Sequence, residues 1–134
     1  MGTWGPGVFE NDTACDFATA IASGGGVAAL AQALDRVVSS GDSYLEAPDA
    51  EEGLAAAEIV ARLKGSPGQP TAYTASIDAW IRDLQTGVPD ELIGKAKKSI
   101  ARILAEPSEL LELWTESDEF DSWKRGVEEV SKRL

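Results

Sequence analysis

The sequence predicts an all-α protein: one domain over residues 1–134, folded as a single compact bundle of about six or seven helices behind a glycine-rich N-terminal strap at residues 1–11. Three observations carry this expectation. Apolar residues recur at three- and four-residue spacing from Ala14 to Leu134. No run keeps the strict alternation of a half-buried strand. Acidic residues stand four positions ahead of basic ones at Glu58/Arg62, Asp78/Arg82, Glu91/Lys95, Glu128/Lys132 and Glu129/Arg133. Such pairs contribute about 0.2–0.5 kcal/mol each on an exposed helix.

The elements follow in order. Asp12 is a good N-cap for a first helix whose face is Ala14, Phe17, Ala18 and Ile21. Ser23-Gly24-Gly25-Gly26 should end it, and Val27, Leu30, Ala31, Leu34, Val37 and Val38 mark a second helix stopped at Gly41. The short glycine turn predicts that these two pack as an antiparallel hairpin. Pro48 suits the first turn of a third helix running to Lys64. Its many alanines, on nearly every side, predict a central helix closely approached by its neighbours. Residues 65–70, Gly-Ser-Pro-Gly-Gln-Pro, form a surface loop. Tyr73, Ile77, Trp80, Ile81 and Leu84 make a fourth helical face that stops at Gly87, and Pro89 starts a fifth carrying Leu92, Ala96, Ile100 and Ile103. Pro107 breaks that pattern and Ser108 caps a short sixth helix with Leu110, Leu111, Leu113 and Trp114. Phe120, Trp123, Val127, Val130 and Leu134 define the last.

Bulk properties narrow the function. The net charge of −11 makes the chain a poor ligand for nucleic acid and for anionic membrane surfaces. It suits a basic protein partner, although acidity also serves plain solubility. With no histidine, the chain lacks the usual general base and the usual imidazole metal ligand, which argues against catalysis. Its single cysteine, Cys15, excludes an internal disulfide and fits a reducing compartment. No apolar run approaches a membrane span of roughly 18–20 residues, and no basic-then-apolar signal opens the chain. The expected location is therefore cytoplasmic. Cys15 reads as a small buried apolar residue, and no cofactor is expected.

Three acidic groupings could carry chemistry. Glu10-Asn11-Asp12 with Asp16 offers oxygen ligands for a hard cation, but capping and the helix dipole explain the same residues. Around the third helix stand Glu46, Asp49, Glu51, Glu52 and Glu58. Glu58 falls mid-helix at a position expected to be buried, with Arg62 as its obvious partner. The third grouping runs from Glu106 to Asp121 without a Lys or Arg, interleaved with aromatics. Glu109, Glu112, Trp114, Glu116, Glu119 and Phe120 would there form a docking surface, the aromatics as anchors and the charge for steering. A solvated face over core tryptophans explains the same pattern more simply.

The opening Met1-Gly-Thr-Trp-Gly-Pro-Gly-Val-Phe-Glu-Asn-Asp-Thr-Ala14 resembles a bacterial family known as domain of unknown function 4259 (DUF4259). Tyr44-Leu-Glu-Ala-Pro48, Ala55-Ala-Ala-Glu-Ile-Val60 and Ser108-Glu-Leu-Leu-Glu-Leu-Trp114 with Trp123 are similar to its middle and C-terminal parts. The resemblance implies a small stand-alone bacterial protein and carries no established activity. The leading expectation is an acidic, non-enzymatic interaction module, immunity- or antitoxin-like, with the Glu106–Asp121 surface as its contact. The alternative is a carboxylate-dependent metal-binding protein or hydrolase using Glu10, Asp12, Glu46 and Glu58. A third reading is a plain structural or homo-oligomeric protein. In the strap, the glycines permit close backbone approach while Trp4 and Phe9 plug into the core; Glu10 is left without a role there.

Overall fold

A computed structural model describes residues 3–84 and 87–134. Within them lie seven α-helices and no extended strand. They are α1 (Asp12–Ala20), α2 (Gly26–Ser39), α3 (Ala47–Lys64), α4 (Ala75–Leu84), α5 (Asp90–Ile103), α6 (Glu109–Thr115) and α7 (Phe120–Arg133). The fold is the all-α bundle that the periodicity predicts.

Helix α3 packs against every other helix, most extensively against α2 and α5. Burial extends right around it, from Ala55 to Arg62 without a break, and Ala50, Gly53 and Leu54 are buried as well. Small side chains are what permit this. A helix enclosed on all sides must let several axes approach at once, and alanine keeps helical propensity while taking the least room. Gly53 marks the tightest approach, since a β-carbon built there would overlap the Val37 Cγ2 methyl of α2. The ends of α3 are equally defined. Pro48 occupies its first turn. At the other end Gly65 takes φ 99°, its N–H bonding Arg62 O at 3.1 Å while the Ser66 N–H reaches Ala61 O at 3.0 Å. That is a Schellman closure, and it turns the chain into the 65–70 loop.

The expected α1–α2 hairpin does not form. The chain passes from α1 through a π-helical turn, Ile21–Gly25, into α2, and the two helices pack mainly on other elements: α1 on α3 and α4, α2 on α3 and α5. Gly24 bends the path at φ 143°, a value a β-carbon disfavours. A glycine run thus kinks a helix here where a reversal was expected. Taken as one run across that kink, Asp12–Ser39 spans 28 residues and is long and apolar enough to cross a membrane, contrary to the sequence expectation. The kink divides it, and Ile21, Leu30, Ala33, Leu34 and Val37 are spent on the core.

Smaller differences have similar causes. Asn11, not Asp12, caps α1, its side chain accepting the Ala14 N–H at 2.8 Å. Tyr73 lies ahead of α4 rather than on its face. Arg102, at the end of α5, donates to the carbonyls of Gly41, Ser43, Ala105 and Pro107 at 2.7–2.9 Å. With the Leu45–Ser108 bridge it fixes the approach to α3 beside the approach to α6.

Gly53→Ala should cost about 1–3 kcal/mol by overpacking the α2–α3 contact, although alanine is the better helix former. Urea unfolding measures this; equal or greater stability than wild type would mean the two helices lie farther apart than described.

Candidate functional site

The strap is folded around one carboxylate. Thr3 bridges Asn11, the Trp4 N–H bonds Glu10 O at 3.0 Å, and the Glu10 N–H bonds Gly7 O at 3.0 Å. In this loop Glu10 Oε1 accepts the Gly7 N–H at 2.8 Å. A β-carbon on Gly5 would stand 2.7 Å from that carboxyl group, and one on Gly7 2.6 Å. Gly5 and Gly7 of the opening motif therefore make room for Glu10, the residue that the strap reading of the sequence explained least. Phe9 enters the core as expected. Trp4 does not: it is 48% exposed, and its indole N–H donates to Tyr73 Oη at 3.2 Å.

Glu10 lines a cleft of about 380 Å³ between the strap, the C-terminal half of α3, the 68–74 segment and α7. At its base lies an ionic cluster centred on Glu58, which is 5% exposed. Glu58 Oε2 accepts Arg62 Nε at 3.0 Å and Arg133 Nη1 at 2.9 Å, and Oε1 is bonded by Arg133 Nη2. Arg62 continues to Asp78 Oδ1 and Gln69 O, both at 2.8 Å. Arg133 continues to Glu129 Oε2 at 2.6 Å and Ser66 O at 2.9 Å. Hydrogen bonds that Arg133 donates to Glu58 raise its pKa above the ordinary value, so the guanidinium stays charged. Among the described residues no buried side-chain nitrogen or oxygen lacks a partner. The expected Glu58–Arg62 pair is thus one edge of a larger network, and Asp78 pairs with Arg62 instead of the anticipated Arg82.

The four carboxylates considered for a metal do not converge. Glu10 and Glu58 line the same cleft. Glu46 precedes α3 at the opposite end from Glu58, and twelve residues of helix separate them by roughly 18 Å. Asp12 is exposed in the first turn of α1. No cluster of three or more potential metal-ligating side chains occurs among the described residues. Nor is Cys15 prepared for nucleophilic work. It is half-buried, its thiol bonds Phe9 O at 3.1 Å, and desolvation, Asp12 and Asp16 push its pKa up.

The expected docking surface is rearranged. Trp114 stacks on buried Trp123 with centroids 5.9 Å apart and planes within 9°, and Phe120 tilts against the same ring at 6.2 Å. Both are half-buried members of the core edge rather than free anchors. Glu109 is also structural in part, since its Oε1 accepts the Ala47 N–H at 2.7 Å and caps α3 from α6. Glu112, Glu116 and Glu119 are exposed, and no described cation pairs with them. The exposed apolar groups of this face are Leu113, 53% exposed, and Tyr44, 50% exposed. Desolvation together with the Glu112, Glu109 and Glu46 carboxylates raises the Tyr44 hydroxyl pKa, which places that ring within the acidic field. Sequence reasoning missed Leu113 because it sits among leucines that share a helix. It missed Tyr44 because tertiary contacts, the Leu45–Ser108 bridge and the Ala47–Glu109 hydrogen bond among them, bring that loop to α6.

A helical bundle with a carboxylate-seating strap is the class of protein defined so far. The profile of the family described as Domain of unknown function (DUF4259) matches residues 2–126, and the chain belongs to that family. No curated protein and no solved structure matches it.

Two outcomes test the electrostatics. Glu58→Gln leaves two guanidiniums without their shared anion and should cost about 3–5 kcal/mol in urea unfolding. Glu129→Gln, on the exposed side of the cluster, should cost about 1 kcal/mol or less; equal losses would contradict the central place of Glu58. Glu51 behaves oppositely: desolvation first, then Glu109, raises its pKa against a hydrogen bond from Thr13. A carboxyl pKa raised by folding stabilises the native state below the unfolded pKa, and that stabilisation disappears as pH rises through the folded value. Glu51→Gln should therefore raise the melting temperature at pH 7 and give no advantage below about pH 4. Thermal melts at both pH values check the sign.

Proposed function

We propose that this protein is an acidic, non-enzymatic interaction module of the bacterial cytoplasm, immunity- or antitoxin-like, that binds a basic protein partner through the α6 face. The observation that carries the reading is the exposure of Leu113 and Tyr44 among carboxylates without cationic partners in the described residues. Half-exposed apolar groups ringed by one sign of charge combine an anchor with a steering field. The net charge of −11 supports a basic partner and disfavours nucleic acid and anionic membranes. Trp114 and Phe120 support the face from beneath by stacking on Trp123, and Glu109 holds it to α3. A non-enzymatic role accords with the absence of histidine. It accords also with Glu58 and Glu129, whose carboxylates are engaged by guanidinium groups.

The test uses the immobilised protein and an extract of the producing cells, with captured proteins identified by mass. A basic partner held by wild type should be lost with the Glu112→Lys, Glu116→Lys, Glu119→Lys triple variant, whose melting temperature should change little. Leu113→Ala and Tyr44→Ala should each weaken the purified complex about tenfold. A partner that survives the triple charge reversal would sink the α6 assignment.

A further inference from the structure

The cleft beside the strap has a chemistry of its own, separate from the α6 face. Its walls carry three carboxylates, Glu10, Glu58 and Glu129, against two guanidiniums, Arg62 and Arg133. Every guanidinium nitrogen already donates to a protein acceptor, so the cleft has little to offer an anion. Glu10 is in the reverse position. Its Oε1 takes the Gly7 N–H, and no described donor reaches Oε2 and no described cation lies within ion-pair distance. A strap built around this carboxylate, with glycines at the two positions where a side chain would displace it, holds an acceptor that nothing else in the described structure uses. Val8, Gly126 and Val130 give the cleft an apolar wall, and Tyr73 lines its rim in contact with Trp4 at a centroid distance of 5.8 Å. Half-exposed aromatic faces beside a lone carboxylate attract organic cations.

We propose that this cleft binds a small organic cation, an ammonium or guanidinium group on a short apolar stem, with Glu10 as its counter-ion and Tyr73 as its aromatic rim, backed by Trp4. The volume of about 380 Å³ lies at the small end of ligand sites. The cation head donates to Glu10 Oε2 while the stem lies along Val8 and Val130. Gly5 and Gly7 act as positioning residues, since they determine where the carboxylate stands. The proposal is independent of the α6 reading: a protein that loses its partner by charge reversal at α6 should still bind the cation.

Titration of the whole protein with n-butylguanidinium and n-butylammonium chloride, followed by amide shifts of Gly7 and Glu10 and the Trp4 indole signal, tests it. Saturable shifts that weaken with added salt are expected, and butyrate and n-butanol should leave these signals unmoved. Glu10→Gln should weaken binding about tenfold or more, the loss of an ion pair in a part-buried site. Gly7→Ala keeps the charge but displaces the carboxylate, and should weaken binding several-fold while the protein still melts cooperatively. The Glu112→Lys variant should bind as wild type does. Butyrate or butanol binding as well as the cations would overturn the proposal. So would unchanged affinity in Glu10→Gln, or no saturable shift up to about 10 mM cation.

Discussion

A buried carboxylate on the most enclosed helix governs much of this fold. Glu58 sits on α3 where neighbours close in on every side, and an isolated charge there would be prohibitive. Two arginines from different parts of the chain meet it, and each brings its own dependants. Arg62 draws in Asp78 of α4 and the Gln69 carbonyl; Arg133 draws in Glu129 and the Ser66 carbonyl. One charge thereby ties α3, α4, α7 and the 65–70 loop together. Such a cluster is weak evidence for added stability, because desolvation offsets much of its attraction. What it supplies is a unique arrangement, since each guanidinium accepts few alternative geometries.

The packing problem was solved with small residues before it was solved with charge. Alanines through the middle of α3 and a glycine at position 53 let α2 and α5 lie close. On the other side of α3, Glu58 is 5% exposed, and a carboxylate so nearly buried needs the arginines as partners. The strap repeats the logic on a smaller scale, with Gly5 and Gly7 clearing space for a carboxylate. There the outcome differs: Glu10 is seated by a single backbone N–H and faces an open cleft. Two carboxylates in one cleft thus serve opposite ends, one saturated and holding the fold, the other held ready beside an aromatic rim.

The molecule is also divided electrically. Carboxylates without described partners gather on and around α6, whereas many basic side chains are engaged internally or on α5 and α7. Arg102 shows how this arises, since its guanidinium is occupied by four carbonyls of two loops. Its guanidinium is therefore held by neutral carbonyls and not by the carboxylates of α6. Trp114 and Phe120, legible as aromatics in an acidic run, stiffen that face by packing beneath it.

The sequence by itself determined the helices, most of their caps, the central place of α3, the Glu58–Arg62 pair and the family. These are local or periodic properties: propensity, spacing and turn chemistry act within a few residues. Only the tertiary structure decided that the glycine run kinks a helix instead of reversing it, because Gly24 permits either path and packing on α3 and α5 selects one. Tertiary structure alone brought Arg133 to Glu58 across 75 positions and Tyr44 to the α6 face. It also turned Trp4 outward to Tyr73 and left Glu10 facing the cleft. These contacts join residues distant in the chain, and no spacing in the sequence encodes which of several acids an arginine will meet. The candidate sites are therefore written in residue types along the chain, but their partners were chosen when the helices packed.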